Sequence, residues 1–106
     1  MTPDARFESI LENLALLGVT RSTTFGKRGV MADGQVIACF LGDAMAFRLG
    51  EESRELAGAL SLDGATNWDP RGKGQPFKDW VRVPAEESDH WGRLVEAALH
   101  RIRKKL

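Results

Sequence analysis

This sequence predicts a two-layer α+β domain, ordered α-β(3-4)-α-β(2)-α, whose mainly antiparallel sheet carries helices packed on it. Three observations carry that expectation. Residues 24–49 hold three apolar β segments joined by two tight turns, and both ends of the chain place apolar residues at helical spacing. The length of 106 residues suits one domain, 1–106, large enough to bury a core without staples and too short for two.

The first helix begins at Thr2, an N-cap type, with Pro3 at the first helical position and Asp4 favourable against the helix dipole. Phe7, Ile10, Leu11, Leu14 and Leu17 follow on one face, and Gly18 is placed to end the helix in the left-handed conformation. Residues 19–25, rich in threonine, predict a strand, with a bulge or turn at 26–29.

In the meander, Asp33-Gly34 separates 30–32 from 36–41 and has the composition of a type I′ turn, and Gly42-Asp43 reads as a repeat of that device. Val36, Ala38 and Phe40 alternate with Ile37, Cys39 and Leu41, so a strand apolar on both faces is expected at the centre of the sheet. Residues 44–49 form the outer strand, with Met45, Phe47 and Leu49 on one face and Arg48 on the other.

Beyond it, 51–60 predicts a short helix, and the Gly- and Pro-rich stretch 61–76 predicts a loop interrupted by a strand at 65–68. Residues 77–83 return to strand, with Phe77, Asp79, Val81 and Val83 on one face and Lys78, Trp80 and Arg82 on the other; Pro84 stops the ladder. Ser88 caps the final helix, whose stripe is Trp91, Leu94, Val95, Ala98, Leu99 and Ile102. Arg101, Arg103, Lys104 and Lys105 sit where the C-terminal dipole favours cations.

Fifteen basic and fifteen acidic residues leave no net charge, which argues against a dedicated nucleic-acid or anionic-membrane binder. A single cysteine, Cys39, excludes an internal disulfide and fits a reduced, cytoplasmic setting. The charged N-terminus lacks a signal-peptide core, and no segment has the apolar length to span a bilayer.

The chemistry-bearing residues form no catalytic constellation, so no enzyme and no cofactor is expected. His90 and His100 fall on different turns with no further ligand nearby, and Cys39 lies in an apolar strand without a base. Glu51-Glu52 and Glu86-Glu87 are explained by dipole compensation at helix starts. Lys27-Arg28 and Arg71 with Lys73, each pair flanked by glycines, are candidate anion-binding loops, although neither follows the Walker pattern. Lys78, Trp80 and Arg82 form a candidate stripe on which a base or planar ligand could stack. The competing reading makes Trp80 a helix-packed core residue with snorkelling neighbours.

Phe25-Gly26, then Gly29-Val30-Met31 with Asp33-Gly34, then Val36-Ile37-Ala38 and the strand 44–49 together resemble the N-terminal domain of the TfoX (Sxy) competence-regulator family of bacteria. The closing order is similar too: a Gly-rich loop, 77–83, Pro84, and an acidic lead-in to the helix around Trp91. The likeness runs over roughly residues 5–103 and rests on turns and core positions. Phe25-Gly26-Lys27 stands where the family commonly has Phe-Gly-Gly, Phe77-Lys78-Asp79-Trp80 where paired tyrosines are frequent, and the sequence stops where the larger regulators continue. The resemblance implies a secretion-chaperone-like α+β fold and a non-enzymatic regulatory or protein-interaction role related to competence and transcription. A protein partner and a monomeric or homodimeric state go with it. The alternative is a module binding nucleic acid or an anionic small molecule through the cations named above.

Overall fold

In the computed structural model, which describes residues 1–24 and 26–104, one antiparallel six-stranded sheet carries three α-helices. The expectations that involve Phe25 and Lys105 lie outside the described residues. Helix α1 (Pro3–Leu14) starts as its sequence dictates, with the Thr2 hydroxyl accepting from the Ala5 amide at 3.0 Å. It buries Phe7, Ile10, Leu11 and Leu14. Leu17 does not continue that face: a 3-10 turn, Ala15–Leu17, tightens the end before Gly18 (φ 90°), and rotates Leu17 partly and Leu16 fully into solvent.

Strands β1 (Thr20–Thr24) and β2 (Lys27–Ala32) form a hairpin, so the chain is already in the sheet where a bulge or turn at 26–29 was expected. Asp33 (φ 53°) and Gly34 (φ 77°) make the expected turn into β3 (Gln35–Phe40). The second turn differs from the first. Only Gly42 has positive φ, the Leu41 amide donates to the Ala44 carbonyl at 2.8 Å, and glycine at the first central position is the II′ signature.

Strand β3 departs from strict alternation. Its register against β2 shifts between Val30 and Met31, leaving Ile37 as the extra residue, and Ile37 thereby joins Ala38 and Phe40 in the main core while Val36 packs on the other side. The strand expected to be outermost, β4 (Ala44–Arg48), is interior, because β6 (Phe77–Pro84) pairs along its open edge. The sheet order is β1-β2-β3-β4-β6-β5, where β5 (Thr66–Trp68) forms one edge and β1 the other.

Helix α2 (Arg54–Leu60) is capped by the Ser53 hydroxyl, 3.0 Å from the Leu56 amide, and packs on β6. Helix α3 (Trp91–Arg103) lies across β3 and β4. Ser88 is not its cap: a 3-10 segment, Ala85–His90, intervenes, and the anchor is the buried indole of Trp91, whose Nε1 donates to the Val83 carbonyl at 3.2 Å. Phe7 stacks on Phe40 at 4.9 Å between ring centroids, and Phe40 meets Trp91 edge-on at 6.1 Å. All three helices feed this main core. The opposite sheet face holds a small second cluster of Cys39, Ala46, Trp68 and Trp80, with Phe77 against it. Phe77 therefore sits with Trp80, not with Val81 and Val83; the register shift in the β5–β6 pairing brings it opposite Trp68.

No helix among the described residues is long and apolar enough to cross a membrane.

Candidate binding groove

The seven cations and aromatics singled out by the sequence do not converge. Across three strand spacings, Lys27 and Arg28 on β2 stand roughly 14 Å from β6. Arg28 is committed to the helix layer. Its Nη2 reaches Asp4 at 2.7 Å, and its guanidinium lies 4.7 Å from the Phe40 ring centroid and 5.6 Å from that of Phe7. Lys27 is exposed and makes no ion pair among the described residues. Arg82 pairs with Asp43 at 3.3 Å, while Lys78 is exposed toward the other end of β6. Trp80, between them, is 7% exposed, and its ring tilts against Trp68 at 5.0 Å, so little of it is open to a stacking base.

Arg71 and Lys73 are exposed on a loop that already holds an anion of its own. The Asp69 carboxylate accepts from the Gly72 amide at 3.0 Å and from the Gly74 amide at 2.8 Å. The glycine amides that would cradle a phosphate are thus occupied by a side chain of the same loop.

The histidines and the cysteine follow simple packing logic. His90 contacts Arg93 through Nδ1 at 2.9 Å, and no group of three or more His, Cys, Asp or Glu side chains could hold a metal among the described residues. Cys39 is fully buried, and burial pushes its thiol up to about 12, far from a nucleophilic thiolate.

An open groove of about 1040 Å³ lies elsewhere, between the turn after β4, helix α2 and the outer flank of α3. One wall carries the cations Arg93 and Arg101 of α3 and Lys104 at its C-terminal cap, with Glu96 and His100 between them. Facing them are Glu51 and Glu55, with Asp79 at the start of β6. Asp79 is held by Arg48 at 2.9 Å, but no ion pair crosses the groove among the described residues. Gly50 (φ 94°) forms the floor, with Arg101 laid over it, and the buried Nε of Arg101 has no hydrogen-bond partner.

Opposite charges that face each other without contact leave both sets free for a third party. None of the seven sequence-derived residues lines this groove. Its one legible signal is the spacing of Arg93, Glu96, His100 and Lys104 along a single flank of the last helix. That spacing reads equally as a solvated face. No family model, no curated protein and no solved structure matches this chain.

Proposed function

We propose that this chain is a non-enzymatic protein-interaction module, related by its resemblance to the TfoX N-terminal domain, which receives a charged peptide segment of a partner protein between α2 and α3. The single observation that carries the reading is the unpaired facing of Arg101 and Lys104 by Glu51 and Glu55 across an open groove. A segment with acidic side chains toward α3 and basic side chains toward α2 satisfies both walls, and the volume fits several residues of extended chain. The reading includes a reduced cytoplasmic setting, which the lone thiol of Cys39 supports. The nucleic-acid alternative has less support, because Arg28 and Arg82 are already engaged by carboxylates and Trp80 is covered.

The test is a photo-cross-linker at Ala97, in the groove, with capture of partners from the native cell and a matched probe at the exposed Lys27 on β2, three strands away from β6. Capture specific to Ala97 and lost in an Arg101→Glu, Lys104→Glu variant of unchanged circular dichroism supports the reading. Identical capture from both positions, or capture indifferent to the charge reversal, defeats it.

A further inference from the structure

The two edges of the sheet are built differently. Natural sheets guard their edges with short strands, bulges, lysines or prolines, because an open edge presents unpaired backbone amides and carbonyls to any second strand. The β5 edge is guarded: it is three residues long, and its pairing with β6 carries a register shift. The β1 edge is not. Its five residues, Thr20-Arg21-Ser22-Thr23-Thr24, pair with β2 without irregularity and include no lysine and no proline. Its one charge, Arg21, is folded back onto Glu8 of α1.

We infer that β1 is the interface through which two copies of this chain associate, strand against antiparallel strand, joining their sheets around a two-fold axis at Ser22. The sequence of the strand is complementary to itself under that operation. Thr20 faces Thr24 of the second copy on both sides of the axis, a β-branched hydroxyl pair that favours antiparallel sheet, while Arg21 faces Thr23 and Ser22 faces its own equivalent. On the helix side, the two Arg21–Glu8 pairs come to lie next to each other across the axis, alternating in sign, so the joint is electrostatically neutral. Zero net charge on the chain leaves no long-range repulsion to oppose association.

Sedimentation equilibrium from roughly 1 µM to 1 mM tests the association, with the 11.7 kDa chain expected to approach twice that mass at the upper end. The register is tested by charge. A Thr20→Lys, Thr24→Lys variant sets two like-charged pairs face to face and is expected to weaken association at least about tenfold. A Thr20→Lys, Thr24→Glu variant sets opposite charges face to face and is expected to restore it. A wild type that stays monomeric throughout, a dimer indifferent to the double lysine variant, or a Lys/Glu variant as weak as the Lys/Lys one overturns the proposal. Amide exchange of the wild type guards against misfolded variants. Protection of residues 20–24 should rise with protein concentration, and protection that does not change overturns the proposal on its own.

Discussion

Arg101 lies directly over Gly50: a Cβ built on Gly50 would come within 3.1 Å of the arginine Cδ and 3.3 Å of its Nε. The glycine is required twice, by its φ of 94° and by this approach. Gly50→Ala is therefore expected to cost about 1–2 kcal/mol from the left-handed backbone, and to push Arg101 off the groove floor. Urea denaturation measures the first effect, and a changed amide spectrum confined to the α2–α3 groove reports the second.

Phe40, the last residue of β3, stacks on Phe7 and meets Trp91 edge-on, and so ties the sheet to α1 and α3 in the main core. Phe40 is 3% exposed and Leu94 fully buried, so truncation of either to Ala should cost on the order of 2–5 kcal/mol through lost burial and a residual cavity. Urea midpoints unchanged in both variants would show the core to be centred elsewhere.

Acid should loosen the contact between the β2–β3 turn and the end of α3. Arg103 forks onto Asp33 at 2.9 and 3.2 Å, and its guanidinium holds the Asp33 carboxyl below the ordinary carboxylate range. A carboxylate with a depressed folded-state pKa contributes stability above its unfolded-state value and loses it as pH falls through the folded one. The urea midpoint of the wild type should therefore fall below about pH 4. Asp33→Asn keeps the left-handed turn residue type but removes the charge, so its midpoint should fall less steeply over that range. Because the pair is half-exposed, 1 M salt should shrink the difference between the two proteins.

Trp80 separates a packing role from a recognition role. As a 7% exposed residue against Trp68, its replacement by Ala should cost about 3–5 kcal/mol of stability. Fluorescence anisotropy with labelled single- and double-stranded oligonucleotides should show no binding tighter than about 10 µM at physiological salt, with or without the indole. Submicromolar, salt-sensitive binding lost in a Lys78→Glu, Arg82→Glu variant would favour the nucleic-acid reading instead.

The legible parts of this fold are those governed by neighbours in sequence. Thr2 and Pro3 start α1, Asp33-Gly34 turns the meander, and the stripe from Trp91 to Leu99 marks α3, because caps, turns and helical periodicity need only a few adjacent residues. What the sequence hid depends on partners distant in the chain. Nothing near β4 announces that β6, some thirty residues on, fills its edge. The bulge at Ile37 follows from register with β2, and alternation alone could not register it. The same limit governed the sites. Lys27, Arg28, Arg71, Lys73, Lys78, Trp80 and Arg82 stood out because glycines or aromatics flank them, whereas the groove joins Gly50 and Glu55 to Arg101 and Lys104 from two helices and a turn. No local motif marks such a meeting.

Cys39 gives the protein a built-in clock. Its sulfur is sealed in the sheet, with Ala46 and the two indoles around it, and its proton is held far more tightly than a solvent-facing thiol's. A thiol-directed chromogenic reagent can react only in those moments when the indoles of Trp68 and Trp80 lift off the sulfur. The rate of colour development in native buffer therefore reports how often this second cluster opens. With each chain carrying a single thiol, that rate needs no correction for competing sites.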